Sequence, residues 1–191
     1  MVKRCEWVTD SQVYRDYHDH EWGRPLYDDR KLFELLCLEG TQAGLSWLTV
    51  LKKRDSYREA FDQFDPSVIS QYNEEKIQSL LQNKEIIRNK LKIRSVVTNA
   101  QAYMNITKNG QSFSNYLWQF IDGQPIQHAR ENQDEIPTQT ERSQDMSRQL
   151  KKDGFKFVGP TICYAFMQAS GMVNDHVVTC FCYEEIKNGR N

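Results

Sequence analysis

Apolar residues recur with the period of an α-helix in almost every segment after residue 28, and few alternating runs are long enough for strands. The pattern is clear ahead of Gly40, where the apolar positions are Leu32, Phe33, Leu35, Leu36 and Leu38. Asp28 or Asp29 can cap this helix, and Gly40 is expected to stop it. The chain is therefore predicted to be mostly α-helical.

Caps and breakers predict further helices along the chain. Ser46 can open a helix that carries Trp47 and, further on, Tyr57 and Phe61. The remaining predicted helices lie at 66–71, 73–81, 93–104 with an end near Gly110, 112–121, 143–152 and 162–171. Residues 83–91 are a short polar connection between two helices, and the polar tract 122–142 is interpreted as a surface loop.

Length and composition limit the class of protein. A chain of 191 residues can bury one sizeable core, or form two small lobes that share a groove. No apolar run approaches the roughly 20 residues of a membrane-spanning helix, and charged residues near the N-terminus are not followed by an apolar signal segment. A cytoplasmic protein without a membrane partner is therefore expected. In such a reducing compartment, its five cysteines are expected to be thiols or metal ligands.

The stretch 38–47 combines a carboxylate, two glycines and an indole in ten residues, which can form a corner that holds a flat ligand. Glu39 is predicted in the last turn of a helix, where a negative charge is unfavourable for stability and better suited to binding an electron-poor group. A solvent-exposed glutamate between two helices is the alternative, and the stretch alone leaves both open.

Charge gives a mixed indication about nucleic acid. The net charge of -1 does not support nucleic-acid binding by the chain as a whole. Five cations nevertheless fall within eleven residues, namely Lys84, Arg88, Lys90, Lys92 and Arg94. This local basic ridge is either a small phosphate-binding surface or an ordinary solvated helix face.

Cysteine and histidine spacing suggests a metal site. Cys180 follows His176 by four positions, so both side chains would share a face if the segment were a helix capped by Asn174 or Asp175. Cys5 and His18 would complete a tetrahedral set of four ligands that ties the N-terminal arm to the C-terminal segment. Spacing leaves open two alternatives: Cys182 or His20 as ligands, or a buried cysteine and a core histidine. His128, in the polar tract, is excluded as a ligand.

Several motifs occur together along the chain: Cys5-Glu6-Trp7-Val8, Tyr14, Tyr17-His18-Asp19, Glu21-Trp22-Gly23, Leu38-Glu39-Gly40, residues 42–47, Lys156-Phe157-Val158-Gly159 and residues 174–178. Together, and over nearly the whole chain, they resemble the type I 3-methyladenine DNA glycosylases of bacteria. The resemblance implies a mostly α-helical fold of the helix-hairpin-helix glycosylase superfamily. It implies one glycosylase unit over 1–191, with two helical lobes, segments 1–27 and 172–185 joined by zinc, and the hairpin within 74–104.

The resemblance also assigns site residues. The implied ligands of one structural Zn²⁺ are Cys5, His18, His176 and Cys180. The implied base pocket has Glu39 and Tyr17 as catalytic residues and Trp47, Trp7 and Tyr14 as base-binding residues. DNA contacts are expected from Gly44 and Leu45, which would enter the gap left in the base stack, and from Arg88, Asn89 and Lys90 at the hairpin.

The implied activity is removal of 3-methyladenine from alkylated double-stranded DNA by a monomer, with the free base as product. No lysine lies beside the corner to form a Schiff base, since Lys52 and Lys53 come a turn or more later, so a monofunctional enzyme is predicted. The superfamily's usual catalytic aspartate has no clear counterpart here. The alternative is a zinc-stabilised nucleic-acid binding module without catalysis, whereas a zinc hydrolase is disfavoured because four protein ligands leave no position for water.

One position departs from the family's pattern. Similar sequences usually have a glycine in the hairpin where this chain has Glu85. Either Glu85 adopts a strained positive φ and turns its charge toward phosphate, or the turn is rearranged and DNA affinity is lower.

Overall fold

The structure is a computed structural model that describes residues 2–189. Within these residues the chain forms α1 (Gln12–His20), α2 (Asp29–Thr41), α3 (Trp47–Lys52), α4 (Arg54–Ala60), α5 (Pro66–Ile69), α6 (Glu74–Gln82), α7 (Lys90–Thr107), α8 (Phe113–Trp118), α9 (Glu141–Lys152), α10 (Pro160–Ala169) and α11 (Phe181–Lys187). The two strands are β1 (Ile126–Gln127) and β2 (Val173–Asn174), which pair in parallel. The prediction of a mostly helical chain is confirmed. No helix in this part of the chain has the length and apolarity to cross a bilayer.

Helix α2 is at the centre of the core and packs against α7, α8 and α10. Leu32 and Phe33 are buried, and residues 36–41 are buried without a break, so the C-terminal half of α2 is enclosed on every side. The Asp28 side chain caps α2 by accepting from the Lys31 N–H at 2.8 Å. The next carboxylate, Asp29, accepts from the Phe113 and Ser114 N–H groups at 3.1 and 2.8 Å, so the start of α2 also fixes the start of α8.

Apart from shifts of a few residues at other helix ends, two helix boundaries differ from the sequence-based predictions. Helix α2 does not stop at Gly40 but continues to Thr41, and Gly40 serves packing instead. A Cβ at Gly40 would lie 3.1 Å from the Phe157 Cβ and 3.2 Å from its carbonyl oxygen, so a larger residue would push Phe157 away by a few tenths of an ångström. The single helix predicted after Ser46 is two helices, α3 and α4, with Lys53 between them.

The C-terminal segment was also predicted incorrectly. Residues 175–180 are not helical, and Cys180 is the N-cap of α11 rather than a residue within a helix capped by Asn174 or Asp175. Asn174 instead belongs to β2, and its side-chain amide donates to the Gln127 side chain at 2.8 Å. A local capping signal was misleading here because pairing with a distant strand competes with helix formation.

The connection between α6 and α7, residues 83–89, is held by contacts from α4 and its N-cap. The Tyr57 hydroxyl accepts from the Ile87 N–H at 3.1 Å, and Lys53 Nζ donates to the Glu85 carbonyl at 3.0 Å. Glu85 lies outside the left-handed region, so the strained alternative for this residue is wrong. The turn is closed by a hydrogen bond from the Glu85 N–H to the Asn83 side chain at 2.9 Å.

The polar tract 122–142 lies at the surface, as predicted, since none of its residues is buried, but it also contains short regular elements. It contains β1 and a short 3₁₀ turn, Gln133–Glu135, and α9 begins at its end. Between these elements, the Val178 N–H donates to the Arg130 carbonyl at 2.8 Å, and His128 Nδ1 lies 2.6 Å from Asp175 Oδ1. The tract is therefore attached to the segment that follows β2.

Candidate functional site

A cavity of about 200 Å³ lies where α1, α2, α3 and α10 meet the tract 122–142. Its lining residues are Trp7, Tyr14, Tyr17, Trp22, Glu39, Gln42, Trp47, Gln133, Ala165 and Gln168. All five residues predicted for the base pocket are among them. The cavity is smaller than the roughly 300–1,000 Å³ of sites for drug-sized ligands, which suits a compact, flat group such as a single base.

Aromatic rings form most of the wall of this cavity. The Trp7 ring centroid lies 4.9 Å from that of Tyr14 and 5.1 Å from that of Trp22, and the Tyr17 and Trp47 centroids are 5.6 Å apart. These pairs are tilted or edge-on rather than stacked. Such an arrangement can present ring faces to a planar guest, on which stacking and cation–π contact are favourable.

Glu39 places a carboxyl group in this apolar surrounding. It belongs to the last turn of α2, where the residue is only 3% exposed. Burial raises the pKa of Glu39 to about 8, so the protonated form is favoured at neutral pH. Burial, together with the Glu39 charge, also raises the pKa of Tyr17, whose hydroxyl therefore remains protonated. The exposed-glutamate alternative is wrong, and a cationic guest would favour the ionised form of Glu39.

Unpartnered polar atoms concentrate at this cavity. Within residues 2–189, the buried side-chain N and O atoms without a hydrogen-bond partner are Glu39 Oε2, Trp47 Nε1, Arg130 Nε and Gln133 Oε1. Glu39, Trp47 and Gln133 all line the cavity. An unmet buried polar group costs about 1–3 kcal/mol, so a ligand that offers both donors and acceptors would recover this free energy.

The corner after α2 lies near the cavity and faces solvent. Gly44 has a φ of +79° with open space around it, and the next residue, Leu45, is 38% exposed. Lys92, near the start of α7, donates through Nζ to the Thr41 carbonyl at 2.9 Å and the Ala43 carbonyl at 2.6 Å. Burial lowers the pKa of Lys92. This contact holds the corner against the first turn of α7.

The residues predicted to contact DNA at the hairpin lie at the start of α7. Arg88, Asn89 and Lys90 are exposed. Asn89 is the N-cap of α7, where its side chain accepts from the Lys92 N–H at 3.1 Å. The end of an 18-residue helix with free N–H groups and two exposed cations favours an anion such as phosphate.

Four side chains from the two ends of the chain form a buried cluster that could hold a metal ion. They are Cys5, His18, His176 and Cys180, and their ligand atoms all lie within 4.8 Å of one another. Cys180 Sγ is 3.5 Å from His18 Nε2 and 3.4 Å from His176 Nδ1, while Cys5 Sγ is 3.5 Å from His176 Nδ1. The four residues named from sequence are therefore together, although no helix brings His176 and Cys180 onto one face.

Outer contacts orient both histidines toward the centre of the cluster. His18 Nδ1 lies 2.7 Å from Asp19 Oδ1, and His176 Nε2 lies 3.0 Å from the Trp22 carbonyl oxygen. If each of these nitrogens carries the proton, the other ring nitrogen has a lone pair available for a metal. The donor set therefore fits a metal ion.

The alternative ligands lie outside the set of four. Cys182 Sγ is 4.0 Å from His18 Nδ1, the nitrogen that faces Asp19 rather than Cys180. His20 lines a different cavity, together with Lys31 and Arg58. His128, which the sequence analysis excluded as a ligand, is hydrogen-bonded to Asp175.

The cluster and the cavity share a wall. His18 follows the cavity residue Tyr17 on α1, and the Trp22 carbonyl faces His176 while Trp22 itself lines the cavity. The cavity residues to which the sequence assigned no site role are Trp22, Gln42, Gln133, Ala165 and Gln168. Trp22 and Gln42 belong to motifs that were noticed, whereas Gln133 and Gln168 gave no local signal.

Comparisons with known proteins agree with this arrangement. Residues 7–183 match the family described as methyladenine glycosylase. DNA-3-methyladenine glycosylase 1 of Escherichia coli K12 is 52% identical over 182 residues, which cover 95% of this chain and 97% of that protein.

Solved structures are similar over the same length. A crystal structure of 3-methyladenine DNA glycosylase I has a TM-score of 0.94 at 54% identity, covering 95% of this chain and 100% of that one. A tyrosine-to-phenylalanine variant of 3-methyladenine DNA glycosylase I, solved in complex with 3-methyladenine, has a TM-score of 0.91 at 38% identity, covering 94% and 97%. The chain belongs to the methyladenine glycosylase family.

Proposed function

We propose that this chain is a monofunctional DNA-3-methyladenine glycosylase that hydrolyses the bond between the methylated base and deoxyribose. The observation that carries the proposal is the buried Glu39 in an aromatic cavity, three of whose lining residues have a buried polar atom without a hydrogen-bond partner. Relatives of the same name at 50% and 52% identity support it, as does a relative solved with 3-methyladenine.

The chemistry needs little acid catalysis because methylation at N3 already places a positive charge on the purine. Breaking the glycosidic bond returns the electron pair to the base, which leaves neutral, while positive charge develops on the sugar. Water then adds to the sugar carbon and releases a proton. The protein must mainly extrude the nucleotide, at a cost of a few kcal/mol, and hold the base as it departs.

The cavity residues are suited to that task. Glu39 accepts hydrogen bonds from the amino edge of the base, and its ionised form pairs with the cation. Trp47, Tyr17, Trp7 and Tyr14 supply ring faces, each contributing roughly 0.5–2 kcal/mol to a cationic guest. Because the empty cavity favours neutral Glu39, capture of a cation releases a proton from this carboxyl group below about pH 8.

Contacts with the duplex come from the helix-hairpin-helix element within 74–104 and from the corner. Arg88, Asn89 and Lys90 bind phosphate at the start of α7, and Leu45 enters the stack beside Gly44. The protein acts as a monomer in this proposal.

The metal is proposed to be Zn²⁺. Bonds of about 2.3 Å to sulfur and about 2.0 Å to nitrogen place the S and N ligands of a tetrahedral zinc roughly 3.5 Å apart. The measured Sγ–N separations of 3.4–3.5 Å match this value. When bound, the ion supplies a cross-link between 1–27 and 172–185, and four protein ligands leave it no position for catalytic water.

The test is release of free bases from N-methylated duplex DNA, identified by chromatography. We expect 3-methyladenine to appear and 7-methylguanine to remain in the DNA, and borohydride to trap no covalent adduct. Zinc-replete protein that binds the DNA but releases no base would instead be a binding module. A trapped adduct would contradict the monofunctional assignment.

Lys92→Met is expected to raise the KM for methylated duplex about threefold to tenfold. The variant loses two hydrogen bonds from a charged donor to the Thr41 and Ala43 carbonyls, so the corner is no longer fixed to the hairpin. Binding of free 3-methyladenine, which needs only the cavity, should change little. Lys108→Met, an exposed lysine that follows the same helix, is the matched control. Equal KM values for the two variants would contradict a coupling role for Lys92.

A further inference from the structure

Gln133 brings a side chain from the distant tract 122–142 into the cavity. It is the first residue of the 3₁₀ turn Gln133–Glu135, more than 80 residues along the chain from the corner 38–47. Its Oε1 atom is buried and has no hydrogen-bond partner, although the residue as a whole is only half-buried. The amide oxygen of Gln133 is thus withdrawn from water without being satisfied by the protein.

The backbone that carries Gln133 is held in place. The Ile136 N–H donates to the Gln133 carbonyl at 3.1 Å, and the Glu131 N–H donates to Glu135 Oε2 at 3.0 Å. Further back, the Arg130 carbonyl accepts from the Val178 N–H at 2.8 Å. Because these contacts order the turn without using the Gln133 side chain, that side chain remains available to a guest.

The chemistry of the cavity defines what Gln133 would meet. An unpartnered amide oxygen accepts a hydrogen bond, and the donor that a methylated adenine offers at its edge is the exocyclic amino group, which carries two hydrogens. Glu39 Oε2 can take one hydrogen and Gln133 Oε1 the other. Trp47 Nε1, the third unpartnered atom of the cavity, is a donor and suits a ring nitrogen of the base.

We propose that Gln133 is a specificity-determining residue that accepts a hydrogen bond from the exocyclic amine of the bound base. This proposal rests on the proposed function. The cavity then recognises the amino edge from two sides, with Glu39 on α2 and Gln133 on the tract 122–142. Unlike the carboxylate, the amide contributes no charge, so Gln133 distinguishes bases by their hydrogen-bonding edge rather than by their cationic character.

The test uses Gln133→Met, which keeps the length of the side chain and removes its hydrogen-bonding atoms. Affinities for free 3-methyladenine and for 3-methylpurine, which lacks the amine, are measured by calorimetry. Gln133→Met should weaken 3-methyladenine binding about threefold to tenfold and leave 3-methylpurine binding unchanged. Gln139→Met, an exposed glutamine of the same tract, is the matched control and should alter neither affinity.

Two outcomes would overturn the proposal. Unchanged affinity for 3-methyladenine would mean that Gln133 does not contact the base, and equal weakening of both ligands would mean that it only shapes the cavity. Gln133→Ala repeats the comparison with a smaller side chain if the methionine disturbs folding. Native protein that releases no 3-methyladenine and binds neither ligand would instead refute the proposed function itself.

Discussion

Replacing Glu39 by glutamine is expected to slow release of 3-methyladenine about 10-fold to 100-fold while the fold and the metal are retained. Glutamine can still accept a hydrogen bond, but it cannot pair with the cationic base. Hydrogen bonds to charged groups contribute about 1.5–3 kcal/mol, and each 1.4 kcal/mol corresponds to tenfold in rate. The measurement is single-turnover release from methylated duplex, with zinc content and circular dichroism recorded for both proteins. Loss of zinc or helicity in this variant would mean that Glu39 is structural.

Without a bound base, the Glu39→Gln protein should become more stable relative to native protein as the pH rises. Burial raises the pKa of Glu39 from 4.5 to about 8. Below pH 4.5 the Glu39 carboxyl group is protonated in both the folded and the unfolded protein. Between pH 4.5 and about 8 only the folded protein keeps the proton, so the free energy of unfolding falls as the pH rises. The loss is about 1.4 kcal/mol per pH unit, or about 5 kcal/mol across the window.

Glutamine does not titrate, so the difference in unfolding free energy between Glu39→Gln and native protein should grow from pH 5 to pH 8. Denaturant unfolding at several pH values measures it. Glu59→Gln, at an exposed position, controls for the lost charge. A constant difference across this range would contradict a neutral Glu39 in the empty cavity. The native residue thus destabilises the free protein in favour of the bound state.

Local signals in the sequence predicted most of the helices and their starts. Asp28, Ser46 and Asn73 each accept from a backbone N–H of the helix they precede, because capping involves only neighbours in the chain. Spacing suggested the four cluster residues and left other ligands open, whereas the roles of the aromatic cavity residues came from the family resemblance. Their proximity depends on packing that periodicity alone does not define.

Features that depend on distant contacts were missed. Gly40 resembles a helix stop, yet it stays helical because Phe157, over a hundred residues later, packs against it. Residues 175–180 resemble a capped helix, but β2 pairs with β1 just before them. Gln133 resembles a loop residue because nothing in its neighbourhood indicates that its side chain enters a cavity built mainly from other segments.

Cys180→Ser is expected to lose the metal and at least about 4 kcal/mol of stability, the contribution of a ligand present at 1,000 times its Kd. Lost base release should follow as a consequence, because the cluster supports the cavity wall through His18 and Trp22. Metal content and thermal unfolding with and without added zinc provide the measurement. Cys163→Ser, at a buried cysteine outside the cluster, should retain the metal. An equally stable, zinc-replete Cys180→Ser protein would refute the zinc assignment.

The position of Cys180 makes this result specific to the metal. Cys180 is the N-cap of α11 and makes no side-chain capping bond there. Serine is among the preferred residues at an N-cap, so the substitution should by itself leave α11 unchanged or stabilise it slightly. Any large loss of stability must therefore come from the cluster. Cys5→Ser, at the opposite end of the chain and outside α11, should reproduce the loss, since a metal that joins the two ends depends equally on both.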